Sequence, residues 1–186
     1  PEGEDLSISL VQIGTMQVSL SSGNTSVPIY KYVITREDDS IVTFDSRGLL
    51  VQIKEKNGAV INVSYDASER VTAIVREGIN FPVTMNENGA VTKIIQPDGG
   101  VWTYGYDTNG NLTSVTDPEN GRKTFSYDPK HQMLSWNDET GRRIVLNTYD
   151  NKGRVVSQID QGGTTNTLSY GNGQTIATDA KGFRTT

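Results

Sequence analysis

His131 is the only histidine of the 186-residue chain, and its ordinary pKa would suit a general base near neutral pH. Asp128 and Asp138 lie near it in the sequence and are the acidic groups that could orient its ring. These aspartates, however, occupy positions that recur along the chain as turns, and no set of serine, histidine and aspartate follows from the spacing. We therefore interpret His131 as a turn residue and predict that the chain is not an enzyme.

The segment Asp107-Thr-Asn-Gly-Asn111 carries alternating oxygen ligands, as a calcium-binding loop does. An EF-hand loop also requires a glutamate at its twelfth position, and that position holds Pro118. Asp and Asn oxygens serve equally well as acceptors for the backbone N–H groups of a turn. The chain has no cysteine, which excludes thiolate metal sites. We predict no metal and no cofactor, with calcium as the alternative.

Trp102 and Trp136 offer flat surfaces on which a sugar ring could stack, so they are candidate glycan-binding residues. Trp102 shares strand parity with Tyr104 and Tyr106, which places the three rings on one face of a strand. Trp136 follows Leu134 by two residues in the same way. A packed face explains both tryptophans, and ligand stacking is kept as the alternative.

These candidates all fall within a short unit that is copied seven times. Each copy begins with an aromatic residue or Met, and successive copies start 21, 20, 21, 21, 22 and 21 residues apart. An aliphatic residue or Met stands six positions after each leading residue, and a glycine stands four positions after it in four copies. The leading residues are Phe44, Tyr65, Met85, Tyr106, Tyr127, Tyr149 and Tyr170; the sixth-position residues are Leu50, Val71, Val91, Leu112, Met133, Val155 and Ile176; the glycines are Gly48, Gly89, Gly110 and Gly153, with Glu69, His131 and Gln174 in the other copies.

Each unit is predicted to be two antiparallel strands and two turns. Asn109-Gly110 lies between two alternating runs, and Asn-Gly supplies the positive φ angles that a tight hairpin requires. Clusters of Asp, Pro and Gly at 97–100, 117–121, 138–141 and 160–163 close the second turn. Because no segment shows sustained helical periodicity, we predict an all-β fold in which hairpins form one long, twisted and curled sheet.

A recurring set of residues is expected to carry structure in this array. The leading tyrosines would form a ladder across the strands and fix their register, while the residues that follow them shape the turn. The predicted structural positions are Tyr65, Asp66, Tyr106, Asp107, Gly110, Leu112, Tyr127, Asp128, Tyr149, Asp150, Gly153, Val155 and Tyr170.

Residues 1–29 stand outside the repeat, and residues 30–186 hold about seven repeats. The first region is predicted to be capping strands or the end of an upstream domain. Its alternating runs at 6–10 and 16–20, with a polar turn at 21–26, predict two or three strands that lead into the array. The segment 28–34 supplies one more strand.

The overall composition excludes two classes of partner. Seventeen basic and 22 acidic residues give a net charge of −5, so binding to nucleic acid through a general electrostatic surface is not expected. No run approaches the roughly 20 apolar residues of a membrane helix, so we predict a soluble chain with no membrane span. The acidic residues 1–5 do not fit a signal peptide.

The unit resembles the YD repeat of the Rhs family, most clearly in the segment 106–121, YDTNGNLTSVTDPENG. The resemblance covers about residues 30–186. It extends to the bacterial Rhs and wall-associated polymorphic toxins, the C components of insecticidal toxin complexes and the teneurins. The Asp-Pro-x-Gly-Leu type core motif of the family was not found, and neither was an effector domain.

This resemblance implies a non-catalytic segment of a β-shell that encloses a C-terminal toxin effector. The implied partners are further repeats and that effector, and the implied location is secreted or at the cell surface after export by a bacterial secretion system. An adhesive or carbohydrate-binding repeat module is the alternative, in which a glycan would be the partner. The open edges of such a sheet would also permit edge-to-edge self-association.

Overall fold

A computed structural model describes residues 7–20, 23–171 and 173–186. These residues form seventeen β-strands joined by short turns, and they contain no helix. In particular, the described part holds no helix of the length and apolar character that a membrane crossing requires. The chain divides into two units, residues 1–99 and 100–186.

The first unit is a row of eight strands in chain order. Each strand pairs antiparallel with the next, from the first pair through to the last. The strands are β1 (Ser7–Leu20), β2 (Gly23–Thr35), β3 (Ile41–Phe44), β4 (Leu50–Lys54), β5 (Val60–Tyr65), β6 (Val71–Arg76), β7 (Ile79–Met85) and β8 (Val91–Ile95).

The second unit repeats this arrangement with nine strands, each again antiparallel to the next. They are β9 (Val101–Tyr106), β10 (Leu112–Thr116), β11 (Arg122–Tyr127), β12 (Met133–Asn137), β13 (Arg143–Tyr149), β14 (Val155–Asp160), β15 (Thr165–Gly171), β16 (Gln174–Thr178) and β17 (Arg184–Thr185). The prediction of an all-β array of antiparallel hairpins is confirmed within each unit.

In the first six copies the leading residue ends one strand and pairs with the sixth-position residue that begins the next. Tyr65 pairs with Val71 in this way, and Tyr149 pairs with Val155. The register shifts directly before each of these pairs, which is the signature of a β-bulge beside the turn. The bulge absorbs one residue, so the repeat keeps an even alternation of strand faces on both sides of the turn.

The seventh copy departs from this register. Tyr170 pairs with Thr175, Gly171 pairs with Gln174, and no register shift separates them. The sequence pattern predicted that Gln174 takes the place of the turn glycine. This prediction is wrong, because Gln174 is the first residue of β16. The cause lies in the missing aspartate: Gly171 stands where the other copies have Asp or Asn, so the wider turn has no side chain to close it.

The N-terminal hairpin also differs from the prediction. The runs at 6–10 and 16–20 belong, from Ser7 onward, to the single strand β1, which contains a bulge between Gln12 and Gly14. Residues 23–26 are part of β2 and not of a polar turn, while residues 6, 21 and 22 lie outside the described residues. Segment 28–34 is the continuation of β2, because long cross-strand pairing outweighs the local turn preference of Gly, Asn and Ser. The boundary between residues 29 and 30 stays a prediction.

Neither unit has a dry core. No described side chain is fully buried, and the least exposed apolar residues are Val42, Val83, Ala59 and Val145. β8 and β12 show intermediate exposure at every position. Each unit therefore depends on cross-strand pairs and turns for its stability.

Candidate functional site

Ten turns of the described chain are closed by one carboxylate or amide oxygen. At Asp107, Oδ1 accepts the backbone N–H of Asn109 at 2.9 Å and of Asn111 at 2.8 Å. The Asp107 N–H donates to the Asn111 carbonyl, and the Gly110 N–H donates to the Asp107 carbonyl. The first residues of the ten turns are Asp45, Asp66, Asn86, Asp107, Asp117, Asp128, Asp138, Asp150, Asp160 and Asp179.

The residue before the last position of each turn takes the left-handed conformation. Gly110 has φ +83° and Gly153 has φ +79°, while Glu69 and His131 have φ 61° and 63° at the equivalent positions. Asn109 does not have positive φ, so the Asn-Gly step forms a type I turn followed by a bulge rather than the mirror-image turn that Asn-Gly favours. The turns that follow the leading residues and the turns that separate consecutive copies therefore have the same backbone conformation.

Donors of their own turns favour the ionised form of the Asp107 and Asp150 carboxyl groups. The side-chain amide of Asn111 donates to Asp107 Oδ2 at 2.8 Å, and this bond is the main cause of a pKa for Asp107 below its ordinary value. Backbone donation from residue 154, followed by the Arg154 guanidinium, lowers the pKa of Asp150. Donors of the turn itself thus engage both carboxylate oxygens of Asp107, and no group of three or more metal-ligating side chains occurs among the described residues.

Three leading tyrosines form hydrogen bonds that join their copy of the repeat to the preceding copy. The Tyr65 hydroxyl donates to the carbonyl of Leu50 at 2.8 Å. The Tyr149 hydroxyl donates to Met133 at 2.7 Å, and that of Tyr170 donates to Val155 at 2.6 Å. In every case the acceptor is the sixth-position residue of the preceding copy.

Three other leading residues are described by different contacts. In the third copy the sulfur of Met85 takes the place of a hydroxyl and lies 3.1 Å from the backbone nitrogen of Val71. Tyr106 pairs across strands with Leu112, and Tyr127 pairs with Met133. Partial burial is the main cause that raises the pKa of Tyr127, as it does for Tyr65, and it keeps both hydroxyls protonated. The predicted alignment of tyrosines therefore takes the form of contacts to the previous strand, with an intervening strand between one leading tyrosine and the next.

Arg154 joins two consecutive copies in the second unit. Its Nε and Nη2 both donate to Asp150 Oδ2, at 2.9 and 2.7 Å. The guanidinium carbon also lies 4.1 Å from the centre of the Tyr170 ring, a cation–π contact. The same arginine thus stabilises its own turn and the leading tyrosine of the next copy, a contact that the sequence pattern did not reveal.

His131 lies in a turn, with its Nδ1 2.7 Å from Asn111 Oδ1. Because Asn111 uses its amide nitrogen on Asp107, a line of polar contacts connects the turn of one copy to the turn of the next. Asp128 is engaged by the backbone of its own turn, and Asp138 is engaged by Thr140 and Arg142. The structure thus gives His131 an amide partner rather than the carboxylate that a catalytic pair would need.

The two tryptophans lie in different strands of the second unit. Trp136 in β12 stacks on Phe125 in β11, with ring centres 6.5 Å apart and planes inclined by 29°. Trp102 in β9 is half-buried between the exposed residues Val101 and Thr103. The Trp136 ring is thus partly covered by a neighbouring side chain.

One open groove in the first unit was not foreseen from the sequence. It has a volume of about 640 Å³, and Arg36, Asp38, Glu55 and Lys56 lie along it. Two of its charged residues form ion pairs with residues outside the lining: Lys56 contacts Asp39 at 3.0 Å, and Glu55 contacts Arg76 at 3.5 Å. The groove joins two neighbouring turns, and its lining includes Ser40 but no histidine.

Comparison with known proteins agrees with the repeat pattern. The RHS Repeat family model matches residues 86–120 and again residues 106–143. No curated protein matches the chain.

Two solved structures share the fold at low sequence identity. One is the Photorhabdus luminescens Tc holotoxin pore with the mutation TccC3-D651A, with a TM-score of 0.55, 13% identity, and 92% of this chain and 12% of that chain covered. The other is the TcdB2-TccC3 crystal structure, with a TM-score of 0.54, 13% identity, and 89% and 12% covered. The chain therefore spans about an eighth of the length of the chains that it matches. The repeated turn of aspartate and glycine and the tandem matches to the repeat model together show that residues 86–143 are similar to RHS repeats.

Proposed function

We propose that this chain is a non-catalytic wall segment of a Rhs/YD-repeat shell, and that the shell encloses a C-terminal effector of the parent protein. The observation that carries the proposal is the way in which consecutive copies are joined. The hydroxyls of Tyr65, Tyr149 and Tyr170 each donate to a carbonyl of the preceding copy, and the described strands of each unit form a row without a dry core. Such a row gains stability by adding neighbours, which suits a wall built from many repeats.

The turns support the same role. They are closed by their own side chains and held to neighbouring turns by exposed ion pairs, such as Arg47 with Glu69 at 3.6 Å and Lys56 with Asp39 at 3.0 Å. Pairs of this kind contribute about 0–1 kcal/mol each, so they set spacing more than stability. The acidic net charge of −5 would keep a large assembly dispersed. We place the parent protein outside the producing cell, after export.

Protease protection of the parent protein tests this function. We expect the region that follows the repeats to resist proteolysis in the intact protein and to be cleaved once the repeats are unfolded by urea. Negative-stain electron microscopy should show hollow particles in the same sample. Equal cleavage of that region with folded and unfolded repeats would contradict the enclosure.

The alternative, a glycan-binding surface module, rests on Trp136 and Trp102. Trp136 is only partly available because Phe125 stacks on it. Loss of glycan-array binding in Trp136→Ala, with an unchanged circular dichroism spectrum, would favour this second function. Binding that is absent from the unmodified chain would argue against it.

A further inference from the structure

Three Asn-Gly steps lie in turns of equal backbone geometry, at Asn57, Asn88 and Asn109. In each turn the glycine N–H donates to the carbonyl of the first turn residue, at 2.9, 3.1 and 3.1 Å respectively. All three asparagines are exposed to solvent. Asn-Gly is a chemically labile pair, because the glycine nitrogen can attack the asparagine side chain with little steric hindrance.

We propose that Asn88 is a site of spontaneous deamidation and isoaspartate formation, and that the residue which closes each turn sets the rate of this reaction. The Gly89 nitrogen loses its proton and bonds to Cγ of Asn88, while the bond between Cγ and Nδ2 breaks and ammonia leaves with that proton. Water then opens the succinimide ring at either carbonyl and gives aspartate or isoaspartate. The reaction needs only water as co-reactant.

The closing residue matters because the ring cannot form in the closed turn. The glycine N–H is held by the carbonyl of the first turn residue, so that bond must break and the backbone must rotate before attack. Opening and closing are fast beside deamidation, so the rate follows the population of the open turn. A weaker closing interaction therefore gives a faster reaction.

The turn around Asn88 has the weaker closure. It is closed by the neutral amide oxygen of Asn86, at 3.1 Å from the Asn88 nitrogen and 2.9 Å from the Ala90 nitrogen. The turn around Asn109 is closed by the Asp107 carboxylate at 2.9 and 2.8 Å. Hydrogen bonds to a charged group are stronger than those to a neutral one by about 1 kcal/mol, which corresponds to a factor of about five in the open population.

Asn57 belongs to a third case. Its own Oδ1 accepts the Ala59 N–H at 2.9 Å, so the reactive side chain is itself part of the turn closure. We expect Asn57 to react more slowly than Asn88, because this bond must also break before attack.

The test uses the full chain, aged in mildly alkaline buffer and followed by peptide mapping with mass spectrometry. We expect Asn88 to convert about fivefold faster than Asn109. Asn86→Asp should slow conversion at Asn88 to about the rate at Asn109, and Asp107→Asn should raise conversion at Asn109 to about the rate at Asn88. Each variant carries its control, since the other site should keep its rate.

Ageing in urea separates the effect of the folded turn on the deamidation rate from the effect of the local sequence. There Asn88 and Asn109 should convert at similar rates, because both precede glycine in an open chain. The proposal is overturned if their rates already differ by the same factor in urea, or if Asn86→Asp leaves the native rate at Asn88 unchanged.

Discussion

Replacing Gly110 by alanine should destabilise the chain through the backbone alone. Gly110 has φ +83°, and a Cβ built on it meets no atom within 4 Å, so the substitution adds strain without a clash. An L-residue in the left-handed region costs about 1–2 kcal/mol, and alanine offsets about 0.4–1 kcal/mol of this by restricting the unfolded chain. We expect a net loss of about 0.5–1 kcal/mol, and the β-branched Gly110→Val should lose more.

Two further variants separate backbone strain from a general effect of substitution. Gly171→Ala is the matched control, because Gly171 does not have positive φ and its Cβ would also meet no atom within 4 Å. It should leave stability unchanged or raise it by about 0.4–1 kcal/mol. Glu69→Gly reverses the change at a turn where φ is 61°, and it should gain stability; the ion pair that it removes is exposed and weak.

The assay is a urea titration followed by far-ultraviolet circular dichroism, with the midpoint and the slope compared among variants. The midpoint should fall for Gly110→Ala and rise for Glu69→Gly at constant slope. The reasoning would be refuted by equal midpoint shifts for Gly110→Ala and Gly171→Ala, or by a lower midpoint for Glu69→Gly.

Tyr170→Phe removes a hydroxyl bond to the preceding copy and should cost about 0.5–1.5 kcal/mol in the same urea titration. Tyr170→Leu removes the ring as well, and a double-mutant cycle of Tyr170→Leu with Arg154→Ala should show coupling of about 0.5–1 kcal/mol; strictly additive effects would contradict the cation–π contact. The folded-state pKa of Asp107 is lowered, so its stabilising contribution is complete above the unfolded pKa of about 3.9 and is lost as pH falls through the lower folded value. The urea concentration at the unfolding midpoint should therefore decrease when the pH is lowered below about 4. Asp107→Asn should weaken this dependence on pH, and an unchanged dependence in the variant would count against the role of the turn carboxylate. A cycle of Phe125→Ala and Trp136→Ala should give a coupling of about 0.5–1.5 kcal/mol, measured by the same titration with tryptophan fluorescence, and no coupling would argue against the stacked pair.

Some consequences of the repeat were visible in the sequence because they depend on local geometry. A leading aromatic, an Asp, a glycine at the fourth position and an aliphatic at the sixth predict a strand, a turn and a strand. A turn that contains a residue in the left-handed conformation accepts few residue types at that position, so the sequence indicates where the turn lies. The same local logic explains why Glu69 and His131 adopt positive φ in place of glycine.

The sequence pattern could not show which groups meet across strands, because register decides that. The Tyr149 hydroxyl reaches the carbonyl of Met133, sixteen residues earlier and in the preceding strand. The absence of a bulge at Tyr170 shifts its partner to Thr175. Asn111 looked like an ordinary turn residue, yet it is buried and joins His131 to Asp107.

The sequence by itself determined the period, the strand and turn content and the positions of the turn aspartates, since these follow from side-chain parity and the backbone preferences of a few residues. Tertiary structure alone decided how consecutive copies are joined: which carbonyls Tyr65, Tyr149 and Tyr170 reach, and where Arg154 stacks. Those contacts arise between residues that are distant along the chain, and their distances depend on strand register, which a single shifted residue changes.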